Sequence, residues 1–196
     1  MKIELNNPVF LPHCGCQITL DLVPGQGLLL VGENGIGKST LLFNVHKILG
    51  PEITAFLPQK ELEFFSDRKL GTLKKIFLES QPPQLDIEIF QKLWSDFQLS
   101  SREDRNLSQL SGGEGQVLKI CLTLSKKAEY FLLDEPFQFL DKTRRDVLLK
   151  FIKELPHNSK TVVLIEHQFD LSDKNWQIGE ITNDEGVLRL RQKWTI

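Results

Sequence analysis

Apolar positions along this chain come in two rhythms. Unbroken apolar runs of four or five residues, closed by glycine or proline, read as strands buried on both faces; apolar residues three and four apart read as helices. Gly27-Leu28-Leu29-Leu30-Val31 is the first clear run. It breaks into Gly32-Glu33-Asn34-Gly35-Ile36-Gly37, and Lys38-Ser39-Thr40-Leu41-Leu42 then opens a helix. That helix should run to Ile48 or Leu49, where Gly50-Pro51 supplies a stop. A second short strand spans Ile53 to Leu57 and ends at Pro58-Gln59.

From Glu61 to about Gln109 the strand rhythm disappears. Ile87, Phe90, Leu93, Trp94 and Phe97 recur at helical spacing, and Pro82-Pro83 separates that helix from an earlier one around Thr72 to Glu79. Gly112-Gly113-Glu114 opens a helix through Lys127, Tyr130 to Leu133 is a strand, and Asp141 to Leu155 is a helix followed by Pro156. Lys160 to Ile165 is a valine-rich strand, and Trp176 to Arg191 alternates around Asn183-Asp184-Glu185-Gly186 as a hairpin does. Strands alternating with helices need crossover connections. The pattern therefore predicts an α/β fold whose mostly parallel sheet is covered on both faces. Residues 1–60 and 109–196 would form its core, and 61–108 a small inserted helical subdomain.

Composition narrows the class. In 196 residues, 40% are hydrophobic and 26% charged, which excludes a disordered or fibrous chain. Lys and Arg (24) nearly balance Asp and Glu (26), so the basic excess of a nucleic-acid binder is missing and no nucleic-acid partner is expected. No apolar run approaches the roughly 20 residues needed to cross a bilayer, and Met1 to Pro8 lacks a secretory pattern, so a cytoplasmic location is expected. Cys14, Cys16 and Cys121 are too few for a disulfide framework and read as thiols. His13-Cys14-Gly15-Cys16 lacks a distant second ligand pair, so no zinc site is expected.

The chemistry sits where strands end. Gly32, Glu33, Asn34, Gly35, Ile36, Gly37, Lys38, Ser39 and Thr40 match a phosphate-binding loop between strand and helix. Glycines let backbone N–H groups turn inward onto phosphate oxygens, and the helix presents its positive dipole end. Lys38 would reach the terminal phosphates, and Ser39 would offer a hydroxyl to magnesium. Tyr130-Phe131-Leu132-Leu133-Asp134-Glu135-Pro136 ends an apolar strand in two acids, at the edge where parallel sheets hold ligands. Asp134 would serve magnesium, and Glu135 would polarise an attacking water. Leu110-Ser111-Gly112-Gly113-Glu114 is a serine cap on a second glycine-rich helix start, again presenting N–H groups to an anion.

Two anion-binding helix starts in one small domain exceed what a generic phosphate-loop enzyme needs. With this Leu-Ser-Gly-Gly-Glu string the chain resembles the ATP-binding cassette (ABC) ATPase family, over nearly its whole length. The resemblance implies a phosphate-loop NTPase core that hydrolyses ATP with magnesium as a head-to-tail pair with a second ABC domain, an identical copy or a paralogue. Ser111, Gly112, Gly113 and Glu114 of one domain would cover the ATP held by the other. It also implies that Gln59 ends a strand as a magnesium and phosphate sensor, so that magnesium is served by Ser39, Gln59 and Asp134. Leu140-Asp141 would contact the paired domain, and His167 would contact the terminal phosphate. Phe10 lies near where the family places an aromatic on adenine; by residue type alone it is equally a core phenylalanine.

Departures from the family pattern point within it. Only 21 residues separate Lys38 from Gln59, so the extra antiparallel subdomain of transporter ATPases is trimmed, whereas the 52 from Gln59 to Ser111 keep the helical insert at ordinary size. Val117 and Leu122 stand where many members carry arginines, and Phe137-Gln138-Phe139 is unusual between the acids and Asp141. The expected function is the ATP-hydrolysing subunit of an ABC transporter, on the inner face of the membrane through separate membrane-spanning subunits; the alternative is a soluble ABC ATPase of translation or DNA maintenance. Of the adjacent Phe64 and Phe65, one would be buried and the other would anchor the membrane partner.

Overall fold

The computed structural model describes residues 1–5, 15–16, 18–59, 67–167, 169, 174–184 and 187–194. Phe10, His13, Cys14, Phe64 and Phe65 lie outside the described residues. Two compact units share the chain, Met1–Pro58 with Ala128–Glu135 and Ile152–Ile196 in the first, and Gln59–Lys127 with Pro136–Phe151 in the second.

The first unit is a sheet protein. Its strands are β1 (Lys2–Leu5), β2 (Gly15–Cys16), β3 (Ile18–Asp21), β4 (Gly27–Val31), β5 (Thr54–Leu57), β6 (Tyr130–Asp134), β7 (Thr161–Ile165), β8 (Trp176–Asp184) and β9 (Val187–Trp194). Seven of them form one sheet in the order β2-β9-β8-β4-β7-β6-β5, in which β8, β4, β7, β6 and β5 run parallel. The hairpin β8–β9 is antiparallel, as its alternation predicts. β1 and β3 pair apart from this sheet, and β2 adds two residues beside β9. β6 and β7 are buried at every position, the mark of strands covered on both faces. Leu28, Leu30, Leu132, Val163 and Ile165 form one core with Leu41, Leu42 and Val45 of helix α1 (Lys38–Leu49).

The second unit is helical, with α2 (Leu70–Ser80), α3 (Ile87–Asp96), α4 (Gly112–Leu124) and the first part of α5 (Lys142–His157). Phe90, Leu93 and Trp94 line the buried face of α3, whose start is capped by Asp86 accepting from the Ile89 amide at 3.1 Å. Phe90 packs its ring 5.3 Å from Trp94 and 5.6 Å from Phe77. Burial pushes the Cys121 thiol up, leaving it inert.

Two helix ends differ from the sequence reading. α4 stops at Leu124, short of Lys127, because Lys126 bridges to Leu85 and the Lys127 amide donates to the Gln84 carbonyl at 2.9 Å. α5 passes Leu155 and takes Pro156 into its last turn. Pro156 has no N–H to give the preceding turn, but the Asn158 amide still donates to the carbonyls of Glu154 and Leu155 and closes the helix beyond it. Among the described residues no helix is long and apolar enough to cross a membrane.

Candidate active site

Strand register sets the first unit's site. Leu30 of β4, Ile165 of β7 and Asp134 of β6 lie side by side across three parallel strands. The residues that follow these positions therefore emerge together at one sheet edge: the glycine loop from Gly32, Glu135 after Asp134, and His167 two past Ile165.

The loop is built for an anion. Helix α1 opens on Gly37, whose φ of 105° is open to glycine and costly for other residues, and no side chain caps its first amides. Glu33, Asn34, Gly35 and Ser39 are exposed, Gly32, Ile36, Gly37 and Thr40 half-buried. Lys38 is buried, and its Nζ donates to the carbonyls of Gly32 (2.8 Å) and Glu33 (2.9 Å). An ammonium beside a helix start that no side chain caps is an arrangement that can take a phosphate.

Asp134 ends β6 almost wholly buried, at 2% exposure. Glu135 follows in the left-handed region (φ 45°), with its amide donating to the Ile165 carbonyl at 3.0 Å. A left-handed glutamate is a strained residue, held here by a strand-end bond. Its Oε1 lies 3.6 Å from His167 Nε2. The donor set fits magnesium, which keeps several waters and takes one or two protein oxygens beside those of phosphate. Ser39 and Asp134 supply a hydroxyl and a carboxylate of that kind. Gln59 is exposed and belongs to the second unit, as do Asp141 and the Leu-Ser-Gly-Gly-Glu segment.

That segment starts α4. Ser111 is its N-cap: the hydroxyl accepts from the Glu114 amide (3.3 Å), and Glu114 Oε2 accepts from the Ser111 amide and hydroxyl, both at 3.0 Å. Ser111 and Gly112 are exposed, Gly113 half-buried and Glu114 buried. A Cβ on Gly113 would stand 2.7 Å from the Phe139 carbonyl oxygen, so only glycine lets the backbones approach this closely. Gln116 Nε2 donates to the Pro136 carbonyl at 3.1 Å, a second tie between α4 and the segment after the acids. Within that segment Phe137 is buried beneath Arg145, and Phe139 is 59% exposed.

Three residues escaped the sequence reading: Arg102, Arg105 and Gln116. Arg102 Nε donates to Glu114 Oε1 at 2.7 Å, and Arg105 Nη1 reaches both carboxylate oxygens at 3.2 and 3.3 Å. Burial alone would raise the Glu114 carboxyl; the Ser111 amide and hydroxyl with the two arginines outweigh it and hold the group below its usual range. The burial of Glu114, which its place in the cap does not announce, is what calls for these counter-charges.

Comparison with known proteins agrees with this geometry. The family model described as ABC transporter matches residues 16–138. The chain is 30% identical over 175 residues to the manganese transport system ATP-binding protein MntB of Listeria monocytogenes, covering 78% of this chain and 73% of that one. It is also 30% identical over 152 residues to translation initiation factor RLI1 of Saccharomyces cerevisiae, covering 72% of this chain and 24% of that one. A solved structure titled as an ATP-binding subunit of an ABC transporter shares the fold, with a TM-score of 0.72 at 19% identity over 91% of this chain and 82% of that one. With the phosphate loop, the strand-end acids and the second capped helix start in place, the chain belongs to the ABC transporter family of ATP-hydrolysing nucleotide-binding proteins.

Proposed function

We propose that this chain is the ATPase subunit of an ABC transporter, working as a head-to-tail pair and driving separate membrane-spanning subunits from the cytoplasmic face. The observation that carries the hydrolytic part is the convergence of the glycine loop, Asp134, Glu135 and His167 on one strand-end edge. The transporter part is supported by the MntB likeness, which covers about three quarters of both chains. The RLI1 likeness keeps the soluble alternative in view, on a match that takes in 24% of that protein.

Residues 32–40 bind ATP in this reading, with the α1 amides and Lys38 on its phosphates. Ser39, Gln59 and Asp134 would hold magnesium, which would supply positive charge to the phosphoryl oxygens. Glu135 accepts a proton from the attacking water, and His167 keeps its carboxylate aimed while itself facing the terminal phosphate. Ser111, Gly112, Gly113 and Glu114 present α4 to the phosphate on the partner copy, and Asp141 lies at the contact between copies. Closing two copies thereby completes both sites, and hydrolysis releases them.

The test is isolation of the native chain from detergent-solubilised membranes, with mass spectrometry of what accompanies it. Stoichiometric multi-span membrane proteins are expected. Recovery with ribosomal particles, and without such proteins, would replace the transporter reading by the soluble one.

A further inference from the structure

The cap on α4 contains an electrostatic problem. A glutamine at position 114 would close the same reciprocal box around Ser111 without charge, but Glu114 places a buried carboxylate at a helix start that, on the reading above, receives the phosphate of a facing copy. An unpaired carboxylate there would oppose the helix dipole's attraction for that phosphate. Arg102 and Arg105 meet it with three contacts of 2.7 to 3.3 Å. The neighbouring acid, Glu103, does not compete for them: its Oε1 accepts from Lys74 Nζ at 2.7 Å and from Trp94 Nε1 at 3.1 Å. Two arginines are thus committed to one buried acid.

We propose that Arg102 and Arg105 are positioning residues for hydrolysis. They cancel the charge of Glu114, so that its carboxylate fixes the amide and hydroxyl of Ser111 while the helix start stays attractive to phosphate. Their side chains are 39% and 47% exposed, so each can turn to water once the acid is gone. Their importance is therefore conditional on the charge at position 114, and it shows in the turnover of the folded chain, which an ion pair that served stability alone would not change. The inference rests on the reading of Ser111 as phosphate-facing.

The experiment compares wild type, Arg102→Gln/Arg105→Gln, Glu114→Gln, and the triple variant, with Ser111→Arg alongside. Turnover at saturating ATP and magnesium, nucleotide affinity of the separate chain and the melting temperature are read for each. Removing both arginines from the Glu114 chain should lower turnover about 10-fold or more, at nucleotide affinity within about 2-fold. In the Glu114→Gln background the same removal should cost less than about 3-fold. Unchanged turnover without the arginines, or an equal loss in both backgrounds, overturns the proposal. If the double variant melts below the assay temperature, Arg105→Gln alone carries the comparison, since it keeps the 2.7 Å bond of Arg102. It should lose turnover and regain it with Glu114→Gln, and no loss would overturn the proposal. Full turnover in Ser111→Arg would instead sink the phosphate-facing reading itself. An inactive Ser111→Arg beside a fully active arginine-free chain would sink only the positioning role.

Discussion

His167 and Glu135 face each other across two strand ends, Nε2 to Oε1 at 3.6 Å, although 32 positions separate them in the chain. The in-register pairing of Asp134 with Ile165 creates this approach, and the left-handed backbone of Glu135 turns its side chain off the strand line. A carboxylate so placed, one residue past a buried acid, suits a proton acceptor better than a nucleotide ligand. Glu135→Gln should therefore cut turnover roughly 10²-fold or more and leave ATP affinity similar. Steady-state hydrolysis and a fluorescent-nucleotide titration check it; full activity in the variant would remove Glu135 from this role.

Replacement of His167 by alanine leaves the acid present but unaimed. A loss of about 10-fold or more in turnover is expected, and the double variant His167→Ala/Glu135→Gln should be little worse than Glu135→Gln alone, since two groups acting as one unit are not additive. Multiplicative losses in the double variant would show that the two side chains work separately.

Much of this site is local and hence readable. β4, β6 and β7 announce themselves as unbroken apolar runs closed by glycine or by acids, and the phosphate loop is nine consecutive residues with a fixed geometry. What escapes reading is settled by distant partners. β2 is two residues long and exists through its pairing with β9, and β1 through its pairing with β3. The end of α4 depends on Lys126 meeting Leu85. Arg102 and Arg105 sit in a polar stretch whose pattern says only that it is solvated, and their task follows from the burial of Glu114 in the next element. Helix propensity could not place the end of α5 either, because the proline expected to close it is carried inside the helix, whose last turn is tied instead by the Asn158 amide on Glu154 and Leu155.

Gly113→Ala tests the approach of two backbones. The added methyl would stand 2.7 Å from the Phe139 carbonyl oxygen, closer than any carbon–oxygen contact without repulsion. Neither backbone yields easily, since Gln116 also ties α4 to Pro136. The variant should lose about 1–3 kcal/mol of stability, as overpacked sites do, and its turnover should fall with the displaced helix start. Denaturant unfolding measures the first, and an unshifted midpoint would show that the segment moves freely.

Glu114 also predicts a pH dependence of stability. Its folded-state carboxyl is held below its usual range, so the stability it contributes is present above the unfolded value, about 4.3, and is lost as pH falls through the folded one. Glu114→Gln removes this contribution at every pH. The stability gap between wild type and variant should be widest at neutral pH and close on acidification below about 4.3. A gap that stays constant down to strongly acid pH would mean that the group ionises alike in both states.

Sharing of the site between copies would divide each nucleotide's contacts between two chains. α1 starts without a side-chain cap and with a buried Lys38, and α4 starts with an exposed Ser111, yet the two starts belong to different compact units of one chain. In a head-to-tail pair each nucleotide would meet α1 of one copy and α4 of the other. Ser111→Arg places bulk and charge at the second start and should abolish hydrolysis while sparing nucleotide binding to the separate chain. Lys38→Ala should abolish binding at its own loop. A mixture of the two variants forms pairs with one site carrying both lesions and one carrying neither, because the intact Lys38 of the first chain then faces the intact Ser111 of the second. Activity should reappear on mixing, up to about a quarter of the wild-type rate if pairing is random and the restored site works alone. Each variant by itself should stay inactive. If mixed pairs form, as light scattering or crosslinking would show, and no hydrolysis returns, then either one intact site is insufficient or the sites are not shared. A covalently tethered pair with a single intact site separates these, and its full inactivity beside an active wild-type tether would leave a shared site without support.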